Sequence, residues 1–346
     1  MNVERVTEPN EEWDHFAESM PGVCLGHAAA WASILRDSYG LEPCHLAARD
    51  VDGQIAGILP LAGFRTLRGV RELISLPYLD AAGILARDDE TARALRQAAL
   101  ELCQSTRARA LELRQPAPLA QLPHDETVPR VNLVLPLQTE VEAQWKALPA
   151  KVRNQTRKAE REELVLGEGT ADELLHAFYE PFQVNMRDLG SPVHALRFFR
   201  SASRYLGARL RFVVARLGDR PVGGLVAIRY GRSVTVPWAS TLRDERRRCP
   251  NNLIYWEALR WAVEQGATEF DFGRSPQGSG THRFKLGWGA KQEPLAWVRL
   301  DASGSVIPMA VGNPSGALSR ISELWTRLPV PVAGVLGPRL RRYFSN

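Results

Sequence analysis

Cysteine is scarce in this sequence and forms no pattern. Cys24, Cys44, Cys103 and Cys249 are scattered over 346 residues with no CxxC pair, which argues against a zinc site or a disulfide framework. The seven histidines are equally dispersed and contain no HxH or HExxH spacing, so no metal site is expected. The polar, acidic start MNVERVTEPNEEWDHF has no apolar run of the signal-peptide kind. No later stretch reaches the roughly 18 apolar residues of a membrane-crossing helix, and a cytoplasmic protein is expected. Low-complexity tracts are absent. So are a Ser-His-Asp arrangement and a paired-carboxylate motif, which leaves nothing to suggest a covalent intermediate.

The composition is 45% hydrophobic and 24% charged, enough for two domains with real cores. The net charge of +5 is carried largely by arginine. Such an excess suits an anionic substrate, a nucleic acid or an anionic membrane, and genome composition explains it equally well.

The chain repeats one order of elements. In the first half a helical pattern around Trp31 to Ser38 stops at Tyr39-Gly40, and "HLAAR" follows as a strand. A turn at Asp52-Gly53 leads to the strand "IAGILPLAGF", and "RTLRG" leads to "ELISLPYL". A helix from about Asp89 to Thr106 and the strand "ALELR" close the unit. In the second half a helix from His194 to Leu206 stops at Gly207. "RFVVARL", "VGGLVAIRY" and "SVTVPWAS" follow through turns at Gly218-Asp219 and Gly231-Arg232, then a helix from Asn251 to Gln265 and "EFDFG". Gly40 and Gly207 lie 167 residues apart, and Gly53 and Gly218 lie 165 apart. Matching order at matching offset predicts two copies of one unit. Hairpin-linked strands make each sheet mostly antiparallel, and the last helix-then-strand step adds a parallel neighbour. The fold class is therefore α/β (α+β), each copy a mixed sheet flanked by helices. The expected boundaries are 1–145, 146–300 and a tail, 301–346.

Several segments carry chemistry. "KVRNQTRKAE" (Lys151 to Glu160) sets Arg153 and Arg157 four residues apart, with Arg161 next on the same helical stripe. It reads as a solvated, salt-bridged linker helix or as a polyanion contact made by Lys151, Arg153 and Arg157. In "FDFGRSPQGSGTHRFKLGWGA", Phe270 to Ala290, strand alternation puts Phe270 and Phe272 on one face and Asp271 on the other. Asp271 either handles the proton of an acceptor amine or pairs structurally with Arg274 or Arg283. The three glycines read as a turn carrying the chain from "FDFG" into "RFKLGWG", so that Asp271 and Lys285 face one cleft. Arg283 stands where the third glycine of a dinucleotide fingerprint falls, which excludes that motif. Arg187 and Asp188 form either a turn-making ion pair or an acceptor contact. Trp238 and Ser240 end a strand at a usual ligand edge, with core the alternative for Trp238. Asn251 and Asn252 read as a helix N-cap, at an end that also suits an anionic group. "LRDERRRC", Leu242 to Cys249, adds four arginines with no interleaved aromatics, so it suits phosphate contact and not base readout.

These motifs bring in a resemblance that runs over nearly the whole chain. "KVRNQTRKAE" resembles the K-x-R-N-x-x-R-K-A segment of the FemAB family, the tandem-domain branch of the GNAT superfamily. "NMRDLGSP" and "FDFGRS…GTHRFKLGWGA" look closer still to FemAB-like proteins of bacterial exopolysaccharide and PEP-CTERM/exosortase clusters. The resemblance implies tandem GNAT-like domains and transfer of an acyl or aminoacyl group to an amine of a cell-envelope or exopolysaccharide precursor. It implies no tightly bound cofactor, and a donor that is acyl-CoA, acyl carrier protein or aminoacyl-tRNA, so tRNA enters as a partner. It also implies that Phe284-Lys285 contacts the donor and the developing charge. Without it, Lys285 reads as an exposed lysine at a strand start. Two departures stand out. Arg274 and Gly278-Ser279-Gly280 miss the spacing of the GNAT pyrophosphate loop by one residue, and "LPYLDAAGILA" has alanines where relatives often carry a glycine pair.

Two other functions fit the same sequence. One is an acyl-CoA- or carrier-protein-dependent synthase of an N-acyl lipid or small molecule. The other is a non-catalytic GNAT-fold binding module. The tail from Ser319, arginine-rich with a proline-broken apolar centre, is either packed or a peripheral contact with the inner face of the membrane.

Overall fold

The computed structural model describes residues 1–120, 122, 130–309 and 322–345. They form two compact units, each assembled from separated stretches of chain. The first comprises the described residues of Met1–Val131, Glu293–Gly312 and Arg342–Asn346, and the second those of Asn132–Gln292 and Asn313–Arg341.

In the first unit, helix α1 (Glu11–Ser19) begins where the Asn10 side chain accepts from the amides of Glu12 and Trp13. Helix α2 (Ala30–Tyr39) ends at Gly40, whose φ of 66° is the left-handed stop expected there. One sheet is antiparallel and runs in the order β1 (Asn2–Val6), β3 (His45–Arg49), β4 (Ile55–Leu59), β7 (Leu85–Ala86). A second contains β2 (Glu42–Pro43), β5 (Ala62–Arg65), β6 (Arg71–Ile74) and β8 (Leu111–Gln115). The stretch "IAGILPLAGF" is thus two strands in two sheets, not one strand. Pro60 has no amide hydrogen to continue a ladder, and the chain changes sheets there. Helix α3 (Asp89–Ser105), capped by Asp88, leads into β8, which pairs parallel with β6. Strand β15 (Lys291–Leu300) follows the second copy in sequence, yet it pairs antiparallel with β8.

The second unit has the strand order β10 (Leu164–Gly169), β11 (Leu210–Leu217), β12 (Arg220–Tyr230), β13 (Ser233–Thr241), β14 (Glu269–Ser275), β9 (Arg130–Pro136). The pairs β10–β11, β11–β12 and β12–β13 are antiparallel, and β13–β14 is parallel. Between the last two comes helix α8 (Pro250–Glu264). Helix, hairpin strands, helix and parallel strand recur in both units, but the three hairpin strands of one sheet occur only in the second, because the first divides its strands into the hairpins β3–β4 and β5–β6 of two sheets.

Strand β12 is buried almost end to end, because α8 and α6 (Asp172–Asp188) both pack on it. Gly224 permits that approach: a Cβ there lies 3.3 Å from the Phe178 ring of α6. Helix α7 (Leu196–Leu206) supplies Phe198 and Phe199 to an aromatic cluster with Phe178, Phe182 and Trp238. Short helices α4 (Val141–Ala147) and α5 (Ala150–Glu160) lie against α8. Val152, Thr156 and Ala159 form the buried face of α5, so this helix belongs to the core of the second unit and is not a solvated linker. Helix α10 (Val330–Arg341) packs on α6, with Gly334 against Gln183 and Gly337 against Val193. Among the described residues no helix is long and apolar enough to cross a membrane.

Phe178 is fully buried and touches three other rings. Phe178→Ala is expected to destabilise the second unit by about 3–5 kcal/mol. Val165→Ala, at a side chain largely in solvent, is expected to change stability by less than about 0.5 kcal/mol. Chemical denaturation of the two variants, followed by tryptophan fluorescence, checks both values.

Candidate active site

Strand β13 is interrupted by a proline. Its pairing with β12 runs from Thr241 back to Trp238 opposite Val226, then resumes at Thr235 opposite Ile228. Val236 and Pro237 together therefore stand opposite Ala227, which is a β-bulge. On its other side, β13 pairs with β14 only over Ser233–Glu269, Val234–Phe270 and Thr235–Asp271. Beyond the bulge the two strands part. The split is bounded by residues 236–241 of β13 and 272–275 of β14.

Two residues expected at this edge lie on β13 beyond the bulge. Trp238 is buried, with its ring 5.3 Å from those of Phe198 and Phe199, so it is core. Ser240 is also buried, and its hydroxyl accepts a 3.1 Å bond from Asn185 of α6. The next residue, Thr241, donates to the Asn251 side chain in the first turn of α8. Asn251 is therefore not the N-cap. Cys249 holds that position in a left-handed conformation, φ 57°, and Pro250 is the first helical residue, where a missing amide hydrogen costs nothing. Asn252 turns the other way and donates to Gln155 of α5. This helix N-terminus is tied by Asn251 to the end of β13, and its dipole favours an anion there.

The arginine loop 242–249 lies between β13 and α8. Arg248 pairs with Glu162 and Glu245, and Arg243 lies 3.6 Å from the Asp188 carboxylate. Arg246 and Arg247 stay exposed. From α5, Lys158 donates to the Arg247 carbonyl at 2.6 Å, tying the basic helix to the loop. Arg157 lies over the Trp145 ring, and Lys151 is exposed. Arg153 has a shielded Nε with no hydrogen-bond partner among the described residues. Arg187 pairs with Asp188 at 2.7 Å and donates to the Leu328 carbonyl, which is the turn-making arrangement. Asp188 also lines a cavity of about 410 Å³ with Pro181, Val184, Leu242 and Arg243.

The other wall ends in a different local structure from the one expected. The turn at Gln277-Gly278 leads not into an extended segment but into helix α9 (Gly280–Leu286), whose N-cap Ser279 accepts from the His282 amide. Lys285 is consequently buried on a helix, not exposed at a strand start. Its ammonium donates to the carbonyls of Gly273 at 2.9 Å and Arg274 at 3.1 Å. Asp271 accepts from the Gly273 amide at 2.7 Å. Gly273 has φ 76°, a conformation only glycine adopts without strain. Asp271 and Lys285 thus hold one residue from its two ends, N–H and C=O. Phe284 packs on Tyr255 and Trp288, and Arg283 donates to the Gly278 carbonyl. Burial raises the Tyr255 phenol pKa, which keeps its proton on the ring oxygen. Among the described residues no group of three metal-ligating side chains comes together.

Asn185, Thr241, Tyr255 and Gln155 belong to this arrangement and were not singled out from sequence. Pro237 within "SVTVPWAS" was the one available signal, since a proline inside a central strand marks a bulge.

Residues 148–286 match the family model described as "Acetyltransferase (GNAT) domain". No curated protein matches the chain. Among solved structures, the chain is similar to FemX, with a TM-score of 0.68 and 14% identity over 85% of this chain and 95% of that one. It is similar to a tandem GNAT protein from the clavulanic acid biosynthesis pathway, with a TM-score of 0.56 and 14% identity, covering 88% and 99%. It is also similar to L-PGS from Bacillus licheniformis, with a TM-score of 0.53 and 12% identity, covering 93% and 98%. At these identities the likeness is one of fold. The strand split and the helix beside it thus lie in a GNAT acetyltransferase domain, residues 148–286, within a chain that has the tandem GNAT fold.

Proposed function

We propose that the chain is an acyltransferase that passes an acyl or aminoacyl group directly to an amine on a cell-envelope or exopolysaccharide precursor. The observation that carries this reading is the parting of β13 and β14 beside the N-terminus of α8. Strand edges that no longer satisfy each other offer backbone bonds to an extended donor arm. The amides of α8, the exposed Arg246 and Arg247, and the basic side chains of Lys151, Arg153 and Arg157 suit the donor's phosphates. Acyl-CoA, acyl carrier protein and aminoacyl-tRNA all bring such phosphates. None is proposed to stay bound between turnovers.

The chemistry needs a neutral amine, a stabilised oxyanion and alignment. The amine nitrogen attacks the donor carbonyl and its proton passes to Asp271. Collapse of the tetrahedral oxyanion breaks the donor's C–S or C–O bond, and the departing thiolate or alkoxide takes that proton from Asp271 to leave as the thiol or hydroxyl. Lys285 supplies positive charge near that oxyanion. Arg274, Arg283 and Phe284 border the donor, and Asp188, Ser240 and Asn251 shape the acceptor side, with Arg187 holding Asp188 and Trp238 packed as core on Ser240's strand. The synthesis of an N-acyl lipid or small molecule uses the same site. The reading also places the protein in the cytoplasm, at the inner face of the membrane, through α10. Val332, Val335 and Leu336 are exposed along one face of that helix with Arg339 beside them, and Leu324 and Arg327 are exposed just before it.

Lys285→Ala and Asp271→Asn are each expected to lower turnover by about 100-fold or more. Melting temperatures measured alongside separate a lost transfer group from a damaged fold. Unchanged turnover in both variants leaves a binding module as the function. The correct donor is expected to raise the melting temperature by mass action, and Arg246→Ala with Arg247→Ala to weaken that shift. Transfer in a crude lysate that persists after RNase removes aminoacyl-tRNA from the donors. Val335→Asp with Leu336→Asp is expected to abolish co-sedimentation with anionic vesicles without lowering the melting temperature. Equal sedimentation of wild type and variant rules out the membrane contact.

A further inference from the structure

The first unit contains a concentration of positive charge that the transfer reaction does not use. At Gly40 the chain leaves α2 and enters the edge strand β2, which pairs with β5 through Glu42 opposite Gly63. On the other side of β5, Arg65 stands directly opposite Arg71 of β6. Like charges directly opposed on a sheet are unfavourable. Arg342 and Tyr343 approach the same place from the end of the chain. Together Glu42, Gly63, Arg65, Arg71, Arg342 and Tyr343 line a concave pocket of about 260 Å³.

The charges in this pocket do not balance. Glu42 is the carboxylate lining it, and both of its oxygens are already engaged, by Arg5 at 2.6 Å and Arg71 at 3.2 Å. The Arg5 bond, more than any other influence, holds the Glu42 carboxyl below the usual carboxylate range. Arg65 makes no ion pair among the described residues, and neither does Arg342, whose guanidinium lies 5.5 Å from the Tyr343 ring. Three guanidiniums therefore line the pocket beside one carboxylate, which Arg5 already pairs from outside the lining. Gly63, which lines the pocket opposite Glu42, carries no side chain to fill it. A Cβ there would lie in ordinary contact with the Arg71 guanidinium at 3.7 Å, so a larger side chain reaches the arginines lining the pocket.

We propose that this pocket is a binding site for a phosphate dianion, free or carried as a small phosphoester. A dianion offsets more of the excess charge than a carboxylate does, and its tetrahedral oxygens accept from several guanidinium forks at once. The volume limits the rest of the ligand. Pockets for drug-sized molecules run from about 300 to 1,000 Å³, so this one takes a phosphate with a short appendage and not a whole nucleotide. The site lies outside residues 148–286 and does not depend on the transferase reading.

Isothermal titration of the full chain with inorganic phosphate and with glycerol phosphate, in a buffer free of other multivalent anions, tests the proposal. Binding of at least one is expected, weakened about ten-fold by Arg65→Ala and again by Arg342→Ala. Both side chains are exposed, so melting temperatures in phosphate-free buffer should match the wild type. Gly63→Val is expected to block binding by filling the pocket. Tighter binding of glycerol phosphate identifies a phosphoester as the ligand, and tighter binding of inorganic phosphate identifies the free ion. No binding of either at millimolar concentration, or binding that survives the double arginine variant, overturns the proposal.

Discussion

Pro237 has no amide hydrogen to give, and it sits inside a strand whose neighbours are hydrogen-bonded on both sides. The ladder with β12 absorbs this by opposing two residues to one. The ladder with β14 does not absorb it. Pairing ends at Thr235–Asp271, and the strands separate beyond. Every feature of the candidate site is positioned by that separation. Trp238 and Ser240 lie beyond the bulge on one wall. The first turn of α8 is tied to the end of that wall through Thr241 and Asn251. Asp271 belongs to the last paired rung, so the residue proposed to take the amine's proton sits where the opening begins.

The other wall is fixed by a single residue. Gly273 occupies a left-handed conformation in a strand, and such a conformation persists only where its surroundings hold it. Asp271 holds the amide and Lys285 the carbonyl. The two residues proposed for catalysis are therefore also the two that brace the strand end. In the proposed reaction, a lysine buried in this way, with its charge on backbone carbonyls, is already positioned when the substrate arrives. The cost of orienting it is met in folding and not in the transition state. The arrangement also means that loss of either side chain disturbs geometry as well as charge.

Much of the architecture was legible. The glycine stops at Gly40 and Gly207, the hairpin turns and the alternating strands are local signals, and they placed the repeated unit correctly in both halves. The exceptions have local causes as well. Pro60 ended one strand and began another in a different sheet, and Pro250 displaced the expected cap from Asn251 to Cys249. The helix at Gly280–Leu286 was missed because its seven residues open on glycine and threonine, weak helix formers. The Ser279 cap, the packing of Phe284, the Lys285 ammonium and the bonds of His282 and Arg283 hold it in place. The buried face of α5 was visible as Val152, Thr156 and Ala159, but the arginine stripe beside it masked the pattern.

The sequence alone determined most of the helices and strands and their order, because those follow from turn chemistry and periodicity within about ten residues, but not α9 or the division of "IAGILPLAGF" between two sheets. Tertiary structure decided what each polar side chain is for. Asp271 and Lys285 are fourteen residues apart in sequence, and they meet at Gly273 only because α9 folds back on the end of β14. Asn185, Ser240, Thr241 and Asn251 join through three elements. Arg65, Arg71 and Arg342 converge although one lies near the end of the chain. Burial and hydrogen-bond partners are properties of chain segments brought together from a distance, and no local pattern encodes them.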